Sequence, residues 1–405
     1  MPELIDAIRA AVRSGVAPGP DLRLALARTE DLATLLDAGR ALRELGDTGD
    51  ELTPCRLGVL PTCPPGDLEP LLRACLVGAG VRPGLIVAPS RAFASTLAAG
   101  GRPLGADLLL CLLDAEFFLP REPRAEPAPG PGSRPAPGPD AAADPIDPID
   151  PAAPSTLWPR LAERLAVLRT LLGAALRAGG AVVVLHTVPL PRVLRDAVIG
   201  ARARAALTAL WHRLNASLLA LADEFPRVRV IDLVGLLAEA PVPARAEPVR
   251  GSADSLGPAA PAHYSPGALL LLAQEVRRIV QAGAGLSRRA LAIDLASPLW
   301  TEADGELCRT VGRLRDQGVR LVLMGGDPAG PVRELPSAPL GAAERLRRAA
   351  AVLGLPLDAF VYLDDTAFER GAVAAELPEV VVVEADGPAD RLARTLLQHG
   401  WFDQP

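Results

Sequence analysis

The chain has 405 residues, 49% of them hydrophobic, and a formal net charge of −6. Such a length exceeds one ordinary domain, so two or three are expected, and the acidic balance excludes a broad nucleic-acid-binding face. No apolar run approaches the roughly 20 residues that span a bilayer, so no membrane partner is expected.

Aromatic residues make up only 3%, so the cores must be built from Leu, Val and Ala. Lysine is absent, and all 42 basic residues are Arg. The five cysteines, Cys55, Cys63, Cys75, Cys111 and Cys308, show no CxxC spacing. That pattern fits free thiols in a reducing compartment. The opening MPELIDAIRAAVRSG lacks the continuous apolar core of a signal peptide, so a cytoplasmic location is expected.

Residues 1–50 read as a helical preface, with Leu4, Ile5, Ile8 and Val12 at helical spacing and Pro18 and Pro20 separating two pieces. From Cys55 the texture changes. RLGVL (56–60), GLIVAP (84–89), ADLLLCLLD (106–114), AVVVLHTVP (181–189) and RVRVIDL (227–233) read as strands. Helices are expected between and after them at Leu68–Gly80, Leu161–Ala178, Trp211–Phe225 and Pro266–Gln281. Apolar strands alternating with helices predict a parallel sheet covered on both faces. Pro120–Pro154, dense in Pro, Ala, Gly and Asp, cannot bury enough apolar surface to order itself. It is read as a disordered insertion, 120–157, within a first α/β domain, 51–285.

A second α/β domain, 286–405, repeats the pattern. Its strands are LAIDL (291–295), VRLVLMGG (319–326), AFVYLDD (359–365) and EVVVVEA (379–385). Helices are expected at Leu307–Gln317, Ala342–Leu353 and Ala389–Gln398, with a loop and short helix over Asp365–Glu376. Two of these strands end in carboxylates: Asp294, and 70 residues later Asp364, followed by Asp365. Acidic strand tips in an open α/β sheet suit a hard cation and a phosphate. A lone tip is equally well a turn or a helix cap.

The motif DLASPLW (294–300), then YLDDTAFER (362–370), AELPEVVVVE and a terminal GWF, resembles the haloacid dehalogenase phosphatase superfamily, and within it the FkbH-like subfamily. LLDAEFFLP (112–120), VVVLHTVPLP (182–191), RLNASLLALA (213–222) and HYSPGALLLLAQEV (263–276) resemble the SGNH-hydrolase-like domain that precedes the phosphatase-like domain in that subfamily. The resemblance implies two Rossmann-like parallel-sheet domains. It implies Asp294 as the nucleophile, forming an aspartyl-phosphate. It implies Mg²⁺ held by Asp294, Asp364 and Asp365 with the backbone carbonyl of Ala296. The implied chemistry is phosphoryl or glyceryl transfer from a phosphorylated three-carbon substrate to an acyl carrier protein, in polyketide-type assembly.

The sequence departs from the family pattern at several positions. Ala296 stands where a second Asp serves as general acid and base, and Pro298 stands where a Thr is usual. Backbone N–H groups of Gly325 and Gly326 replace a second-motif Ser/Thr as phosphate donors. With no Lys in the chain, the clamp falls to Arg345, Arg347 or Arg348, unless these form a solvated helix face. Loss of a general acid/base costs about 10²–10⁴ in rate. In the first domain, PTCPP offers only Thr62 or Cys63 as nucleophile, and Ala260 stands where an Asp would orient His263. His186 reads as a packed core residue. Two readings result: a Mg²⁺-dependent transferase or phosphatase, and a catalytically degenerate protein that keeps the fold and a carrier-protein surface. Esterase activity in the first domain is a third.

Overall fold

A computed structural model describes residues 2–45, 52–119, 157–240, 242–245, 264–294, 305–324, 341–385 and 389–404. The predicted insertion therefore lies outside the described residues, except Leu157, which is helical. Also outside them are His263, Ala260, Ala296, Pro298, Gly325 and Gly326. By contacts the chain divides into two compact units, one of Met1–Thr53, Ala74–Arg82 and Val276–Pro405, the other of Pro54–Arg73 and Pro83–Glu275. The helical preface is thus grouped with the C-terminal residues.

Both sheets are parallel, as the apolar strand runs predict. The first has five strands, β1 (Thr53–Pro61), β2 (Val81–Val87), β3 (Leu108–Leu112), β4 (Val182–His186) and β5 (Val228–Ile231), in the order β2-β1-β3-β4-β5. The second has four, β6 (Ala290–Ile293), β7 (Arg320–Leu323), β8 (Phe360–Asp364) and β9 (Val381–Glu384), in the order β7-β6-β8-β9. Burial follows position in each sheet. Central β3, β6 and β8 are buried at every residue, whereas the edge strands β2, β5, β7 and β9 are buried only in part.

The pleat sorts the second sheet's side chains into two cores. Ala290, Ala292, Phe360 and Tyr362 pack on one face against Leu346, Ala349 and Val373. Leu291, Ile293, Val361 and Leu363 pack on the other against Leu307, Leu314, Leu392 and Trp401. In the other unit, Leu109, Cys111, Val183 and Leu185 meet Leu161, Leu165, Leu168, Leu172 and Trp211. Leucines four and three apart on one helix face explain that row. The helix begins at Leu157, not Leu161, because buried Leu157 extends the same stripe by one turn.

Further helices differ from expectation. The expected helix Trp211–Phe225 comprises the second half of a longer helix, Ala201–Leu219, and a one-turn helix, Leu221–Glu224. The Ala- and Arg-rich ARARAALTAL has high helix propensity but a weak apolar stripe, so periodicity alone missed it. Short helices at Phe93–Ala98, Ala115–Phe118, Arg192–Ala197 and Leu233–Glu239 also went unpredicted. Two of these start on an Asp, Asp114 and Asp232, whose side chain accepts from the backbone N–H three residues on.

Candidate functional site

The chain runs from β6 to β7 on one side, then crosses to β8 on the other. The C-terminal ends of β6 and β8 therefore flank a topological switch point, where open α/β sheets bind ligands. Asp294 follows β6 and Asp364 ends β8. Register pairs Ile293 with Leu363 and Ala292 with Tyr362, so the two carboxylates lie on neighbouring strand ends. Their parity matches Ala290, Ala292 and Tyr362, which places both on the face covered by the helix Ala342–Leu353.

That face supplies the remaining groups. Arg345 lies three residues after buried Ala342 and one before buried Leu346, so it points at the sheet. Its Nη2 is 3.6 Å from Asp294 Oδ2, with side chains 20% and 11% exposed. Its Nη1 donates to the Met324 carbonyl at the end of β7. Arg345 Nε is buried with no hydrogen-bond partner among the described residues. Arg347 and Arg348 face solvent, and Arg347 pairs with Glu344 and Glu376. The solvated-face expectation thus holds for Arg347 and Arg348, and Arg345 departs from it.

Asp364 is 1% exposed. One of its oxygens accepts from the Tyr362 hydroxyl and the other from the Thr366 N–H at 2.8 Å. Burial, then the bond to Asp364 and the negative charges of Asp364 and Asp294, push the Tyr362 phenol far above its ordinary range. Asp365 is half-buried and accepts from Thr366 Oγ1 at 3.3 Å. The Glu-Arg pair that closes the motif acts on the scaffold. Glu369 accepts from the Ala342 N–H at 3.0 Å, capping the helix that carries Arg345. Arg370 donates to the Asp364 carbonyl at 3.1 Å and pairs with Glu384 on β9.

Tyr362 was missed from sequence. Its signal is the alternation in FVYLDD, which puts Tyr362 and Asp364 on one face. Of the expected site residues, Asp294, Arg345 and Asp364 come together, with Asp365 beside them. Among the described residues no group of three or more His, Cys, Asp and Glu is placed to hold a metal ion.

At the corresponding end of the other sheet, the side chains are satisfied internally. Thr62 Oγ1 donates to Asp114 Oδ1 at 3.1 Å and accepts from the Asp114 N–H at 3.0 Å. His186 is fully buried; its Nε2 accepts from the Leu113 N–H at 3.1 Å, which leaves Nδ1 to donate to the Thr187 carbonyl at 2.9 Å. Burial holds its pKa down to about 4, so it is a neutral core residue. The Cys63 thiol is pushed up to about 12 by burial and then by Asp114, so it is no nucleophile at neutral pH.

No family model matches the chain, and no curated protein matches it in sequence. A solved structure does: the N-terminal part of the protein BF1531 from Bacteroides fragilis, containing a phosphatase domain and complexed with Mg. Its TM-score is 0.64 at 16% identity, covering 92% of this chain and 98% of that one. The likeness shows the fold. It extends over both α/β units.

Proposed function

We propose that the switch-point site binds a phosphoryl group and transfers it through Asp294, with Arg345 as the clamp that Lys supplies elsewhere in the resembled superfamily. The observation that carries this reading is the Arg345 guanidinium. It is anchored by Nη1 on Met324, faces Asp294 with Nη2, and has a buried Nε donor without a partner among the described residues. A buried orphan donor is costly unless a ligand fills it. A planar guanidinium offering two adjacent N–H groups matches two oxygens of a phosphoryl group.

On this reading Asp294 and Asp364 are the side chains that would hold Mg²⁺. Asp294 and Asp364 are hard oxygen donors, and each Asp364 oxygen keeps a lone pair beyond the bonds from Tyr362 and Thr366. Asp365 and the Ala296 carbonyl are the further ligands the reading assigns. A bound Mg²⁺ would offset repulsion between the carboxylate and the phosphoryl oxygens. BF1531 was crystallised with Mg, which supports the assignment. In the proposed step an Asp294 oxygen bonds to phosphorus and the ester P–O bond breaks. With Ala at 296, the leaving oxygen takes its proton from water. Water then hydrolyses the aspartyl-phosphate, releasing inorganic phosphate and restoring the carboxylate. The substrate we assign is a three-carbon acyl phosphate that also carries a phosphate ester: the thiol of an acyl carrier protein bonds to the acyl carbon as the acyl C–O bond breaks and phosphate leaves, and Asp294 removes the ester phosphoryl group.

A second reading rests on the same contacts. Asp294 already faces a guanidinium and Asp364 accepts from two donors, so both carboxylates are satisfied without ligand. That arrangement supports a carrier-protein-binding protein without turnover. One experiment separates the two: intact-mass measurement of a carrier protein after incubation with this protein, Mg²⁺ and 1,3-bisphosphoglycerate. Transfer predicts a glyceryl adduct that Asp294→Asn abolishes. An unmodified carrier that still co-elutes with the protein supports the second reading and overturns the first.

A further inference from the structure

At the end of the second sheet where its strands begin, a cavity of 420 Å³ opens. Its wall includes Arg289, Ala359 and Val380, which immediately precede β6, β8 and β9. Asp294 follows the last residue of β6 and Asp364 ends β8, so the cavity and the switch-point site occupy opposite ends of one sheet. Every lining residue belongs to the unit that contains this sheet. The volume falls within the roughly 300–1,000 Å³ typical of small-molecule sites.

The lining carries four guanidinium groups, those of Arg23, Arg277, Arg288 and Arg289, against the carboxylates of Asp358 and Glu379. Arg277 is buried and is held in place by bonds to Gln281 and the His399 carbonyl. Arg288 donates from Nη1 to the Glu379 carbonyl at 3.4 Å. Two polar atoms of the lining residues, Ser287 Oγ and Arg288 Nε, are buried with no hydrogen-bond partner among the described residues. Burial, and after it the charge of Arg23, lower the Arg288 pKa, although Asp358 opposes them. Four guanidinium groups against two carboxylates leave the lining with an excess of positive charge, which suits an anion. Orphan donors beside them specify acceptor oxygens.

We propose that this cavity is a second phosphate site, taking a phosphorylated small molecule whose phosphate meets Arg23, Arg288 and Arg289 while Ser287 donates a hydroxyl bond. The space exceeds that of a bare phosphate. Asp358 and Glu379 supply acceptors for hydroxyl or amino groups on the rest of the ligand. The inference is independent of the chemistry at Asp294.

The test is calorimetric titration of the full chain with pyrophosphate and with adenosine 5′-monophosphate, in EDTA and in the Arg345→Met background. That background removes the guanidinium of the other phosphoryl site. Saturable one-to-one binding is expected for at least one probe. Affinity should fall tenfold or more in Arg23→Gln/Arg289→Gln and severalfold in Ser287→Ala. Arg289 is exposed, so Arg289→Gln alone decides the matter if the double variant fails to fold by circular dichroism. Absence of saturable binding by either probe, or affinities unchanged in these variants, would overturn the proposal. Either result leaves the Asp294 reading standing.

Discussion

The Arg345–Asp294 pair can be measured directly by a double-mutant cycle with Arg345→Met, Asp294→Asn and the double variant. The charges approach to 3.6 Å, with side chains 20% and 11% exposed. At an effective dielectric of about 20, that separation gives a gross attraction of about 4–5 kcal/mol. Desolvation of two largely buried ions and the ordering of the arginine side chain offset most of it, leaving a net coupling of about 1–2 kcal/mol. Arg345→Met also gives up the bond to the Met324 carbonyl, so the single substitution is expected to cost more than the coupling. The cycle removes that contribution. The assay is urea unfolding of the four proteins at pH 7 without metal. A coupling within about 0.5 kcal/mol of zero would mean the two groups act independently. The claim that Arg345 is an integral part of the Asp294 site would then fail.

Three further outcomes follow from the same geometry. Tyr362→Phe removes a donor from an almost fully buried carboxylate and is expected to cost about 1–3 kcal/mol in urea unfolding; a loss below 0.5 kcal/mol would show that water replaces the hydroxyl. His186 titrates near 6.5 in the unfolded chain and at about 4 in the folded one. Unfolding therefore takes up a proton between those values, and stability falls as pH drops through that window, by about 3 kcal/mol in all. His399 shifts the same way, so wild type is compared with His186→Gln, and equal pH slopes would refute the assignment to His186. Cys63, its thiol pushed up to about 12, should resist iodoacetamide in the native protein at pH 8 and react in denaturant; rapid native labelling would revive it as a nucleophile.

The sheets were legible in the sequence because parallel strands buried on both faces are written as unbroken apolar runs, as in LLLCL and FVYLD. The acidic strand tips were legible for the same reason, since each breaks such a run at its C-terminal end. Helix starts were harder. Ala201–Leu219 carries little amphipathic signal in its first half, and its position depends on buried Leu207 and Trp211 meeting other elements. Within the site, pattern alone named Asp294 and Asp364 but could not choose among Arg345, Arg347 and Arg348. That choice depends on which helix face meets the sheet, set by Ala342, Leu346 and Ala349. Glu369 and Arg370 show the same limit. They read as part of a motif, and the structure gives them the work of fixing a helix start and a strand end.

The reading of Arg345 as a phosphate clamp has a consequence beyond charge. An ammonium on a flexible stem is a point charge, whereas a guanidinium is a planar fork that divides its donors among partners. Here one arm is committed to Met324, one faces Asp294, and Nε is left over. Two phosphoryl oxygens can therefore be met by Nε and Nη2 while the Met324 anchor stays in place, once Nη2 turns from Asp294. Arg345→Lys keeps the charge but cannot hold Met324 and two phosphoryl oxygens at once in that planar arrangement. If Arg345 is the clamp, Arg345→Lys should bind inorganic phosphate in the presence of Mg²⁺ about tenfold more weakly than wild type, and Arg345→Met more weakly still. Equal affinity in wild type and Arg345→Lys would show that a single positive charge suffices, and would remove the geometric basis for assigning the clamp to this residue.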